Sequence, residues 1–302
     1  MISIVITSYK EPNTIGKAIE SFICQDIKEE YELIVSAPDK ETLDVVKNYQ
    51  KKYKQIKIFR DPGKGKSYAL NLLLPKLKGK IIILSDGDVF VSKNSVNELL
   101  KFFENPEVGV VTGRPVSLNS KNNVFGYWSH LLCDAGAHLA RLKRARKNQF
   151  LECSGYLWAF RNKIIKNFPT DIAEDTIVPI LFWQRGYKIA YALKAEVYVK
   201  FPTNLHDFVE QKKRTAKGHE SLQKYPQLKN VPRMKTFKNE ILEGWSAFSY
   251  PKNIKELIWT LLLFPLRFYI WLLTFYHIKI KKMHYSDGWK RVESTKQYKF
   301  KK

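Results

Sequence analysis

Over residues 1 to 112, short runs of branched apolar side chains alternate with stretches of helical periodicity, which restricts the chain to few folds. Ile2 to Thr7, Leu33 to Ser36, Ile56 to Phe59, Ile81 to Ser85 and Val108 to Thr112 read as strands. Between them, Asn13 to Cys24 places Ile15, Ala18, Ile19, Phe22 and Ile23 on one helical face, and Glu41 to Tyr53 and Ser67 to Leu77 are also helical. Ser92 or Asn94 caps a further helix reaching Phe103. The alternation predicts an α/β fold, a mostly parallel central sheet flanked by helices, with ligands at the carboxyl ends of the strands. Thr7-Ser8-Tyr9 and Asp86 stand at two such ends.

Asp86-Gly87-Asp88 follows one of these strands, so two carboxylates emerge one residue apart into a loop. Gly87 lets the backbone pass close to a ligand, and Asp86 and Asp88 suit a hard divalent cation, Mg²⁺ or Mn²⁺, with positions left for a diphosphate. Asp-Gly-Asp is also ordinary turn chemistry. Asp61-Pro62-Gly63-Lys64-Gly65-Lys66-Ser67 invites comparison with a nucleotide-triphosphatase loop, but Arg60 stands where that pattern needs glycine. A glycine-rich turn opening a helix still offers backbone N–H groups to phosphate, with Lys66 adding charge; a solvated basic turn is the other reading.

The charge balance, 52 Lys plus Arg against 29 Asp plus Glu, gives a net charge of +23 and favours polyanionic partners. With 44% apolar residues, extensive disorder is excluded. Cys24, Cys133 and Cys153 lie too far apart in sequence for a zinc motif and read as reduced, buried thiols. The N-terminus enters a strand without the pattern of a signal peptide.

Six segments follow one another along the chain: Ile4-Val5-Ile6-Thr7-Ser8-Tyr9, Gly65-Lys66-Ser67-Tyr68-Ala69-Leu70-Asn71, Asp86-Gly87-Asp88, Ser154-Gly155-Tyr156 with Phe160-Arg161, Ala173-Glu174-Asp175, and Gln211-Lys212-Lys213-Arg214. Their order resembles that of family 2 glycosyltransferases of the cellulose, chitin and hyaluronan synthase group. The resemblance implies a GT-A fold over residues 1–220 and inverting transfer from a nucleotide-diphosphate sugar. It assigns Asp88, assisted by Asp86, to the metal and Asp175 to the general base that deprotonates the acceptor. Thr7, Ser8, Tyr9, Asp39, Lys66, Asp86, Gln211 and Arg214 would bind the donor, and Gly155, Tyr156, Glu174 and Trp289 would lie on the acceptor side. Glu174-Asp175 also fits plain acid enrichment at a helix start, and Lys212 to Lys217 a solvated basic face. Thr215 replaces the Trp of processive relatives. Ser36-Ala37-Pro38-Asp39 replaces the usual acidic pair after the second strand, leaving Asp39 as the contact to nucleobase or ribose.

His130, Asp134 and His138 recur every four residues within a helix read over Asn123 to Lys147. The outer two would stand about 12 Å apart at 1.5 Å rise per residue, too far for one ion, so acceptor contacts or polar packing are preferred. That helix ends in Arg141, Lys143, Arg144, Arg146 and Lys147, a cluster suited to lipid headgroups.

After a connecting region, residues 221–253, the composition changes over residues 254–280 to a membrane-embedded helix or re-entrant hairpin. Pro265 and Arg267 predict a break, and basic flanks on both sides, including the tail 281–302, predict a re-entrant or interfacial hairpin, in preference to a single span, that keeps both ends in the cytoplasm. The whole reads as a transferase at the cell membrane, catalytic domain on the cytoplasmic side, with a lipid-linked or glycan acceptor and lipids as partners. A polyprenyl-phosphate sugar transferase is the alternative, and a basic nucleic-acid-binding protein an alternative of another class, disfavoured because no nucleic-acid motif is visible.

Overall fold

The computed structural model describes residues 1–228, 231–283, 285 and 293–295. Eight strands form one sheet: β1 (Ile2–Thr7), β2 (Tyr31–Ala37), β3 (Ile56–Arg60), β4 (Ile81–Asp86), β5 (Phe90–Val91), β6 (Val108–Ser117), β7 (Leu157–Arg161) and β8 (Lys188–Val199), in the order β3-β2-β1-β4-β7-β6-β8-β5. The first four run parallel, as do β6 and β8, while β7 and β5 pair antiparallel with their neighbours. The sheet is covered on both faces by apolar side chains. Ile4, Ile6, Val35 and Ile83 meet Ile15, Ile19 and Phe22 of α1 (Ile15–Ile23) on one face. Val5, Ile34, Ile82 and Leu84 meet Leu70 and Leu73 of α3 (Lys66–Leu73) on the other; α2 is Lys40–Gln50. Burial on both faces is why these strands read as unbroken apolar runs.

Strand β1 has β2 on one side and β4 on the other, with Thr7 in register with Ser36 and Asp86. The strand order switches sides at β1, with β2 and β3 on one side and β4 on the other, and such a switch point opens a crevice at the carboxyl ends.

Helix α4 (Ser95–Leu100) precedes β6. The long helix expected over Asn123 to Lys147 is three pieces: α5 (Val124–Leu131), a π-helical stretch Leu132–His138 and α6 (Leu139–Arg146). Helices α7 (Glu174–Gln184), α8 (Leu205–Glu220), α9 (Phe237–Glu243) and α10 (Ile254–Phe275) follow. Helix α10 continues as a π turn to Ile280, giving one 27-residue apolar segment long enough to cross a membrane.

The break expected at Pro265 and Arg267 does not occur. Pro265 lies inside α10 on its exposed side, and Arg267 donates from Nε and Nη2 to both oxygens of Glu240 at 2.6 and 2.7 Å, so its charge is neutralised by α9. One face of α10 packs on the sheet domain: Leu263 and Ile270 join Tyr127, Trp128 and Leu131 of α5 and Phe208 of α8. Tyr127 and Thr260 share a hydrogen bond of 2.7 Å, and Trp128 Nε1 donates to the Trp259 carbonyl at 2.6 Å. Cys24 is exposed, against expectation, while Cys133 and Cys153 are buried. Trp289 lies outside the described residues.

Candidate active site

The crevice is built on backbone proximity. The Gly87 N–H donates to the Thr7 carbonyl at 2.9 Å, and a Cβ at Gly87 would lie 2.4 Å from Ser8 Oγ, so only glycine fits between the carboxylates. Ser8 Oγ, close against Gly87, is buried and has no hydrogen-bond partner among the described residues. Tyr9 is exposed at its rim.

Lys66, expected at the donor's phosphates, is paired with two carboxylates. Its ammonium is buried and bridges Asp86 Oδ1 at 2.6 Å and Glu174 Oε1 at 2.7 Å, and Thr7 Oγ1 also donates to Asp86 Oδ1 at 3.2 Å. Burial alone lowers the Lys66 pKa, but the two carboxylates outweigh it and hold it well above the ordinary lysine value. Lys66 thus ties the end of β4 to the first turn of α7.

Asp175 follows Glu174 in that turn and packs on the backbone of Gly155, where a Cβ would stand 3.0 Å from Asp175 Oδ2. The next residue, Tyr156, lies at the meeting of the remaining charges. Its pKa is raised, first by burial and then by Asp88 and Asp86, with Arg214 of α8 acting the other way. Asp86, Asp88, Glu174, Asp175, Gly155, Tyr156 and Arg214 therefore surround one crevice. Gln211, one turn before Arg214, keeps a buried Oε1 with no partner among the described residues.

Asp39 caps α2, accepting from the Thr42 N–H at 2.9 Å and the Lys10 N–H at 2.8 Å. Burial raises its pKa, but these hydrogen bonds outweigh it and leave it below the usual aspartate value. Asp61, directly after β3, is masked in the sequence by the glycine-rich turn that follows it. It accepts from Ser36 Oγ at 3.0 Å and the Gly63 N–H at 2.8 Å, and burial followed by the charge of Asp39 raises its pKa. The signal was an acid at a strand's carboxyl end.

Among the described residues no cluster of three or more His, Cys, Asp or Glu side chains offers a metal cage. His130 Nε2 meets the Asn119 carbonyl, Asp134 accepts from Tyr250, and His138 Nδ1 meets the Tyr191 hydroxyl, so that stripe is polar packing on a π-helical turn. Of the basic cluster in α6, Arg141 turns inward to the Glu152 and Cys153 carbonyls and Arg144 pairs with Glu243, leaving Lys143, Arg146 and Lys147 exposed. The expected basic face of α8 is also reduced. The Lys212 ammonium lies over the rings of Phe201 and Phe208 at 5.9 and 5.6 Å, and burial brings its pKa down to about 8.

Residues 1–218 match the sequence profile of the family described as glycosyltransferase like family 2. The chain belongs to that family. An N-acetylglucosaminyltransferase of Azorhizobium caulinodans is 22% identical over 238 residues, which cover 72% of this chain and 59% of that protein. The poly-beta-1,6-N-acetyl-D-glucosamine synthase of Staphylococcus aureus MSSA476 is 23% identical over 230 residues, covering 73% of this chain and 55% of that protein. The chain thus spans little more than half the length of these relatives. Among solved structures, the mannosyltransferase PcManGT of Pyrobaculum calidifontis, in complex with GDP-Man and Mn²⁺, superposes with a TM-score of 0.63 at 15% identity, covering 93% of this chain and 86% of the other. The fold is GT-A, with an apolar helix at the carboxyl end of the described chain.

Proposed function

We propose that this protein is an inverting glycosyltransferase of the cell membrane, catalytic domain on the cytoplasmic side, that moves a sugar from a nucleotide diphosphate to a lipid-linked or glycan acceptor. The observation that carries the reading is that Asp175 packs on Gly155 while the end of β4, just before Asp86-Gly87-Asp88, is hydrogen-bonded through Ser85 Oγ to the Tyr156 carbonyl at 2.8 Å, where strand β1 also ends. In that arrangement Asp175 accepts the proton of the acceptor hydroxyl as the new bond forms, a role typically worth 10² to 10⁴ in rate. Arg214 and Gln211 face the donor's pyrophosphate, Ser8 and Tyr9 its nucleoside side, and Asp39 with Asp61 the ribose or base. Lys66 and Glu174 hold the two acidic segments in place.

The two hard carboxylates of Asp86 and Asp88 fit Mg²⁺ or Mn²⁺ as a partial ligand set that donor phosphate oxygens complete. Because Asp86 Oδ1 is already engaged by Lys66 and Thr7, Asp88 would be the principal protein ligand. When bound, the cation offsets charge growing on the departing nucleotide diphosphate.

A lipid phosphate as acceptor is the second reading. Lys212 favours it, for its ammonium faces Phe201 and Phe208 in the wall shared with α10. Purified protein assayed with a panel of sugar nucleotides should hydrolyse or transfer from one class in Mg²⁺ or Mn²⁺ and fall silent in chelator. Full activity in chelator removes the metal from this account, and silence with every donor removes the transferase.

A further inference from the structure

We infer that α10 lies flat in the membrane interface and does not cross it, forming with the segment around α9 a single apolar platform that docks the catalytic domain on an anionic bilayer. The inference rests on the membrane reading above and adds its geometry. Length and composition alone allow a span. Three observations oppose one.

The first is that both ends of the helix return to the same domain. The chain enters α10 beside Tyr250, whose hydroxyl donates to Asp134 at 2.9 Å. Beyond Ile280, the Tyr285 N–H donates to Ser221 Oγ at 3.1 Å at the end of α8, and the Ser294 N–H donates to Asp207 at 3.1 Å at its start. A spanning helix would carry these residues to the far side.

The second is that polar contacts hold α10 along its length to residues that cannot enter hydrocarbon. They include Thr260 with Tyr127, the Trp259 carbonyl with Trp128, and Arg267 and Trp271 with Glu240, the last at 2.8 Å. Crossing a bilayer would strand the Arg267 charge and break all of them.

The third is the shape of what remains exposed. Ile254, Ile258, Leu261, Tyr269, Leu272 and Tyr276 recur at helical spacing on the face opposite the domain. Trp245, 75% exposed, and Phe248 extend that face, with Phe248 stacked on Phe264 at 5.1 Å. Lys252 and Lys255 at one end and Lys279, Lys281 and Lys282 at the other are exposed. An apolar stripe with basic ends matches acyl chains bordered by anionic headgroups. That complementarity selects a bilayer over a second copy of this strongly basic chain.

The test uses the full chain, purified without detergent and added to preformed vesicles of phosphatidylcholine with one third phosphatidylglycerol. The expected result is flotation with the vesicles and release at alkaline carbonate. Lipids brominated near the headgroup should quench Trp fluorescence more than lipids brominated at the bilayer centre, and Trp245→Phe should remove most of that quenching. Leu261→Asp with Leu262→Asp should lower vesicle partition at least tenfold with solution hydrolysis of the donor unchanged. The platform is overturned by unaltered partition of the double variant, by stronger quenching from the bilayer centre, by a dimer that buries Trp245 in place of lipid, or by a tag after Lys302 that outside protease cannot reach. Docking intact with no activity toward any sugar nucleotide supports the platform and removes the transferase reading instead.

Discussion

Lys66 keeps two carboxylates together that would otherwise repel in a buried space. In Lys66→Met, Asp86 and Glu174 remain without their cation, and breaking a buried pair by removing one partner typically costs about 3 to 5 kcal/mol. The variant should therefore melt well below the wild type. Because the Lys66 pKa is raised, the bridge contributes fully below the ordinary lysine value and is lost only as pH rises through the folded one. Thermal melts of variant and wild type at several pH values into the alkaline range will read that loss. Asp175 has a different signature. As the proposed base, Asp175 would take a proton that moves only in the transition state, so Asp175→Asn should lower kcat by about 10² to 10⁴ and leave donor affinity nearly intact; donor titration beside steady-state kinetics separates the two. Retention within tenfold points to another base.

At the scale of elements, α8 links the crevice to the platform, and its C-terminal turn holds a group sensitive to pH. His219 is buried, with Nδ1 3.3 Å from Glu152. Burial lowers its pKa to about 4, against the opposing pull of Glu152 and Asp175 and with the help of Lys235 and Arg233. In the unfolded chain an imidazole titrates near 6.5, so the unfolded state binds the proton first. The stability carried by the neutral ring is complete above pH 6.5 and drains as pH falls through the folded value, a loss on the order of 3 kcal/mol. Denaturant unfolding across that window should show a slope that His219→Gln flattens.

The elements divide by how well the sequence announces them. Strands β1, β2 and β4 are readable because their centres are apolar on both faces, and the edge strand β3 because Ile56, Ile58 and Phe59 keep it mostly apolar. Strand β8 is not: Lys188, Lys194 and Glu196 interrupt it, and its pairing with β6 supplies what local propensity does not. Short β7 is held as an antiparallel strand between β4 and β6. At the site, motif order pointed to the acids, but the Lys66 bridge joins segments remote in sequence and no local pattern carries it. Arg267 is the same case, since a charge in an apolar run reads as a break until its partner, 27 residues earlier, is known.

Across the whole molecule, the excess of basic residues and the apolar face act together. On the proposed platform, charge would draw the chain to an anionic surface over a screening-limited distance, and apolar burial would keep it there. Raising salt should slow vesicle capture more than it promotes release, which stopped-flow binding at several ionic strengths will resolve. Helix α8 has a further consequence. It carries Gln211 and Arg214 toward the crevice and packs Phe208 against α10, so with α10 at the bilayer the reaction centre sits at a fixed altitude. A helix is about 10 Å across, and one or two such layers separate chemistry from lipid. On the proposed docking the protein would act as a gauge: a hydroxyl borne at that elevation would be glycosylated, and one that earlier additions had lifted beyond it would be left alone.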